Sequence, residues 1–93
     1  MSYNYCIHKY QLNTSCIGLP QKLLLPAKAQ ILSVQQQHGA MMWALVDPNE
    51  ALEERTFILY GTGHPITDRN KLKFLGTIQT LGGFAWHAFE VKT

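Results

Sequence analysis

The sequence predicts an all-β domain, a small antiparallel sandwich or partly open barrel of six to seven short strands. Three observations carry this reading. Apolar, β-branched and aromatic residues come in short runs bounded by Gly, Pro, Asn and Asp. Several runs alternate in side-chain character at a period of two. No stretch supports a long helix, which leaves strands packed in layers as the way to bury the apolar residues.

Tyr5 to Leu12 alternates loosely and reads as the first strand. Gly18-Leu19-Pro20 and Pro26 punctuate the chain. Between them, Lys22-Leu23-Leu24-Leu25 reads as a short edge strand, because Pro is tolerated at strand ends. Gln30 to Gln37 is a strand with Leu32, Val34 and Gln36 on one face and Ile31, Ser33 and Gln35 on the other. His38-Gly39 is a tight turn, with Gly supplying a positive φ. Met41 to Asp47 returns as the second arm of this hairpin. It is apolar on both faces, which places it centrally.

Asp47-Pro48-Asn49-Glu50 is a turn. Pro48 suits its second position, and the Asp47 side chain is placed to cap it. Ala51-Leu52-Glu53-Glu54 is read as one helical turn. Arg55 to Tyr60 is a strand with Arg55, Phe57 and Leu59 opposite Thr56, Ile58 and Tyr60. Gly61-Thr62-Gly63-His64-Pro65 follows, then a polar loop over 66–72. Lys73 to Thr80 is a strand in which Gly76 marks a bulge or a close backbone approach. Gly82-Gly83 turns the chain into the last strand, Phe84 to Val91. There Phe84, Trp86, Ala88 and Glu90 oppose Ala85, His87, Phe89 and Val91. Val34, Ala44, Val46, Ile58 and Phe89 are expected among the buried residues.

The 93 residues make one domain, 1–93; 46% are apolar and 15% charged, which argues against disorder. The longest unbroken apolar run, Ala40 to Val46, is far short of the roughly 20 residues of a membrane helix. A net charge of +2, with Lys9, Lys22, Lys28 and Lys92 scattered, argues against a dedicated nucleic-acid or membrane binder. Two cysteines, Cys6 and Cys16, are too few for a disulfide scaffold. The first residues lack the pattern of a secretory signal, so a reduced, cytoplasmic chain is expected.

The chemistry-bearing candidates centre on Gly61-Thr62-Gly63-His64. Two glycines one residue apart let an oxyanion or phosphate approach the main-chain N–H groups. Thr62 adds a hydroxyl and His64 a donor, and Arg69 is placed to reach back as a bidentate partner, assisted by Arg55. The plain alternative is a chain-reversing turn. P-loop and Rossmann folds are excluded, because the following helix and the remaining glycines are missing.

Of the strand aromatics, Trp86 is the stacking candidate, beside His87 with the opposite orientation. Cys6 and His8 share a strand face, but no spacing supplies the other half of a zinc site. The six carboxylates form no catalytic pair on a rigid strand. His64 with Thr62 offers a base and a nucleophile with no orienting acid. No reaction, catalytic residue, metal or cofactor is therefore called for.

The ordered segments Ile31 to Gly39, Trp43-Ala44-Leu45-Val46-Asp47-Pro48, Arg55-Thr56-Phe57, Gly61-Thr62-Gly63-His64, Phe74-Leu75-Gly76-Thr77 and Trp86-His87-Ala88-Phe89-Glu90 span nearly the whole chain. Together they resemble a family of very small uncharacterised proteins carried by phages and bacterial mobile elements. That resemblance implies a phage or prophage context in the host bacterial cytoplasm. It also implies action by binding, and an anti-defence sponge for a cyclic nucleotide immune signal is one such strategy. Main-chain amides and Arg would hold phosphates, and an aromatic side chain would stack on the base.

The alternative is a small β interaction module that inhibits or recruits a host or phage protein. A third reading is a nucleotide hydrolase using His64 or His8. A core of this size gains little beyond chain entropy. Met41-Met42-Trp43, with Tyr10 or Leu23 near possible edges, would be covered in a homo-oligomer, most simply a dimer.

Overall fold

Period-two alternation is strictest in the central strand of the hairpin. Ala40, Met42, Ala44 and Val46 are buried, while Met41, Trp43 and Leu45 between them are half-buried on the other face. In the computed structural model, which describes residues 4–92, this segment is the middle of a three-stranded antiparallel sheet. We label the strands β1 (Cys6–Leu12), β2 (Gln21–Pro26), β3 (Gln30–Gln36), β4 (Ala40–Val46), β5 (Leu52–Gly61), β6 (Leu72–Gln79) and β7 (Ala85–Val91).

The strands form two sheets, ordered β1-β4-β3 and β2-β5-β7-β6, with every paired strand antiparallel and no closure into a barrel. The fold is thus all-β, as the sequence predicts. Among the described residues there is no α-helix, only a 3-10 turn at Arg69–Lys71, and no helix long and apolar enough to cross a membrane.

The core lies between the sheets. Leu12, Val34, Met42 and Val46 of one sheet meet Leu25, Phe57, Leu59 and Ile78 of the other. The sheets approach most closely where β3 meets β6. A Cβ on Gly76 would lie 2.7 Å from Val34 Cγ2, so the hydrogen-only side chain is what lets Val34 seat. β6 is bulged at this point, between Phe74 and Gly76.

The structure departs from the sequence reading in three places. Ala51 to Glu54 form no helical turn. β5 begins at Leu52, because its first residues pair with β2, Leu52 opposite Pro26 and Glu53 opposite Leu25. In β3 a bulge between Ile31 and Ser33 shifts the alternation. Ile31 and Val34 both pack toward the core, and Leu32 is left 45% exposed on the other side. Ile58 and Phe89 are not core residues. They are opposite each other on the outer face of the larger sheet, half-buried, where Phe89 meets Tyr60 and Phe74 at ring-centroid distances of 5.8 and 5.4 Å. Val34, Ala44 and Val46 are buried as expected.

The connection from β5 to β6 positions the candidate site. β6 and β5 flank β7 and run the same way, so residues 62–71 must cross the sheet from end to end.

Candidate functional site

Gly61 closes β5, and the next three residues form a turn in which His64 N–H donates to Gly61 C=O at 3.1 Å. Gly63 holds the position of positive φ (+90°), which a side chain would strain. The His64 ring folds back over the turn, and its Nδ1 accepts the Gly61 N–H at 3.1 Å. Nδ1 is thereby an acceptor, so the neutral ring carries its proton on Nε2. A Cβ on Gly61 would press on that ring at 3.0 Å and on Trp86 Cζ3 at 3.4 Å. A side chain at Gly61 would thus crowd the His64 ring and Trp86. Among the described residues, the N–H groups of Thr62 and Gly63 donate to no acceptor.

Gly61 is opposite Trp86 in the β5–β7 ladder. The Trp86 indole packs on the edge of the core, and Phe84, 65% exposed, lies parallel to it at 6.2 Å and 6°. The Gly82-Gly83 turn places Phe84 here: Thr80 N–H donates to Phe84 C=O, and Thr80 Oγ1 accepts the Phe84 N–H. Between the two turns is an open cleft of about 450 Å³, walled by Gly61, Thr62 and His64 on one side and Phe84 and Trp86 on the other. Its volume falls in the range of small-ligand pockets.

Five of the seven expected residues, Gly61, Thr62, Gly63, His64 and Trp86, therefore come together. The two arginines do not join them. Arg55 faces the sandwich interior about 20 Å from Gly61 along β5. Its Nε and Nη2 donate to Glu90 Oε2 and Oε1 at 2.6 and 2.7 Å, and Nη1 donates to the Ala29 carbonyl at 2.5 Å. The hydrogen bonds to Glu90 hold the guanidinium pKa above its ordinary value, against the opposing effect of burial. Arg69 precedes the start of β6, where Leu72 is opposite Val91. That is about 17 Å along β7 from Trp86, beyond the reach of an arginine side chain.

The sequence reading missed His87 and Thr77. On the outer face of the larger sheet, Thr62 Oγ1 is 2.8 Å from His87 Nε2, and Thr77 Oγ1 is 3.0 Å from His87 Nδ1. The cross-strand placement of Thr77 opposite His87 was the recoverable signal, but it needs the β6 register, which the bulge shifts. Hydroxyl, imidazole and hydroxyl form a chain that ties the start of the crossover to the sheet. The third member is neutral. A hydroxyl hydrogen-bonds the ring but does not stabilise an imidazolium as a carboxylate does. The arrangement therefore works as a clip.

Cys6, exposed, and His8 lie on the inner-facing side of β1, and His8 Nδ1 is 3.4 Å from the Tyr10 hydroxyl. Burial, with a smaller contribution from Cys6, pushes the Tyr10 phenol above its ordinary value. Among the described residues no three His, Cys, Asp or Glu side chains are grouped to hold a metal ion.

A family model described as a domain of unknown function, DUF7352, matches residues 4–93. No curated protein and no solved structure matches the chain.

Proposed function

This chain belongs to the DUF7352 family, and we propose that it is a non-enzymatic, phage-type binding protein that sequesters a nucleotide immune signal. The supporting observation is the convergence of the Gly61–His64 turn with Phe84 and Trp86 around one cleft. The base would stack against the exposed ring of Phe84 and the edge of Trp86, and a phosphate would take the N–H groups of Thr62 and Gly63. The resemblance of the ordered segments to small phage and prophage proteins supports the anti-defence context. With both arginines elsewhere, stacking carries most of the affinity, and binding depends only weakly on salt.

The test is incubation of the protein with a panel of cyclic di- and trinucleotides, followed by heat denaturation. Depletion of one ligand and its intact recovery after heating is the expected result. Stacking is worth about 1–3 kcal/mol per base, so Phe84→Ala should weaken binding by about fivefold to a hundredfold. Chemically altered ligand would point to an enzyme instead. Depletion of nothing would overturn the reading in favour of a protein-interaction module. That second reading is favoured by one observation, the apolar outer face of the β1-β4-β3 sheet.

A further inference from the structure

The three strands of the smaller sheet carry one Lys and no Asp, Glu or Arg. Their inner face makes half the core, and their outer face is uncovered in a single chain. On that face Ile7 is 58% and Leu32 45% exposed, with Trp43 and Leu45 half-buried between them. Ile7 is opposite Leu45, and Lys9 and Ser33 flank Trp43 across the two ladders. An open groove of about 310 Å³ runs between Ile7, Leu32 and Trp43, rimmed by Ser33 and Gln35. An apolar centre with Trp and a neutral polar rim, short of charge, is the composition of an interface core.

We propose that this face docks on the same face of a second copy of the chain, sheet against sheet, as a weak two-fold dimer. Two features of the face select a second copy. The first is charge. A face without carboxylates has no opposite charge to offer a basic partner, and its single ammonium, on Lys9, is already held by Gln37 Oε1 at 3.0 Å. Such a face is complementary to itself. Across a two-fold axis the apolar centre meets the apolar centre and the Gln and Ser rim meets the rim, at the usual sheet-stacking distance of about 10 Å.

The second is area. Seven residues by three strands give a face of about 23 by 14 Å. The flat outline of two such faces is about 640 Å², and the relief of the side chains raises the accessible surface buried to the order of 900 Å², the size of weak, transient interfaces. The dimer should therefore dissociate on dilution through the micromolar range. It is independent of the ligand cleft, which lies at one end of the other sheet.

Sedimentation of the wild-type protein from micromolar to near-millimolar concentration should show a mass rising from one chain to two. Over the same range the indole resonance of Trp43 should shift and that of Trp86 should not. Ile7→Lys and Leu32→Lys place a charge at exposed positions, so the fold should survive, as checked by circular dichroism and melting. Each should raise the dimer dissociation constant by about tenfold or more. A wild-type mass of one chain at every concentration overturns the proposal. So does a dimer in which Trp86 alone responds, or one that persists undiminished in both Lys variants. The two wild-type measurements decide the matter even if either variant misfolds.

Discussion

Arg55 and Glu90 join the middle of the larger sheet to the loop before β3, and breaking the pair should cost more than any surface substitution. The side chains are 19% and 13% exposed, and the contact is bidentate with a third hydrogen bond to the Ala29 carbonyl. Removing one partner of a fully buried pair costs about 3–5 kcal/mol, because the remaining charge is stranded. Residual water contact here lowers that to about 2–3 kcal/mol for Glu90→Leu or Arg55→Met alone. In a domain of this size each kcal/mol moves Tm by about 4–8 °C, so each single variant should melt roughly 10–20 °C early.

The double variant Arg55→Met/Glu90→Leu removes both charges together. It should recover most of the loss and lie within about 1 kcal/mol of wild type, because well-packed apolar groups replace a buried pair at little cost. Chemical denaturation of the four proteins closes a double-mutant cycle with a coupling of about 3–6 kcal/mol. Single variants within about 0.5 kcal/mol of wild type would refute the argument, and so would a double variant as unstable as the sum of the singles. The same double variant also asks whether Arg55 assists the ligand, since unchanged affinity in a folded protein removes it from the site.

Gly76→Ala should destabilise by about 1–3 kcal/mol through overpacking against Val34, and Val34→Ala in the same chain should recover part of that loss; urea midpoints for the three variants check it, and simple additivity would contradict the contact. Alkaline pH should weaken the fold through Tyr10. Its phenol pKa is raised in the native state, so as pH climbs past about 10 the unfolded chain loses the proton first. Stability is full below that pH and falls above it, through the raised native pKa. Tyr10→Phe should flatten this part of the stability profile relative to wild type, and parallel profiles would show that the phenol has no part in it.

The strands were legible because period two is a property of neighbours. β4 reads as central from its own residues, since an uncharged apolar run suits a strand paired along both edges, and it is so paired although its outer face stays half-open. The departures arise where neighbours do not decide. The bulge at Ile31/Ser33 inserts a residue without any Gly or Pro to announce it, so Leu32 moves to the outer face and into the groove with Trp43. Leu52 and Glu53 become strand because β2 offers them a ladder, a tertiary contact that overrides the helical reading of two consecutive Glu residues. Ile58 and Phe89 follow the alternation correctly. What the alternation cannot say is which of the two faces is the core.

The candidate site was legible in its local part and misread in its reach. A Gly-Thr-Gly-His turn follows from glycine chemistry, and its meeting with Trp86 follows from pairing β5 with the last strand. Arg69 follows the turn by only a few residues in sequence, which suggests closeness in space. Yet a chain that leaves one strand and re-enters the sheet in the same direction must travel a full strand length. Residues 62–71 do so across β7, and Arg69 is at the far end of that journey. The same crossover explains the Thr62–His87–Thr77 clip. A polar segment spanning the outer face of a sheet needs a tether where it starts, and His87, alternating outward beside inward Trp86, supplies one. Trp86 and His87 thus divide the work of one strand by pointing opposite ways. Trp86 walls the cleft, and His87 fixes the loop that carries the cleft's other wall.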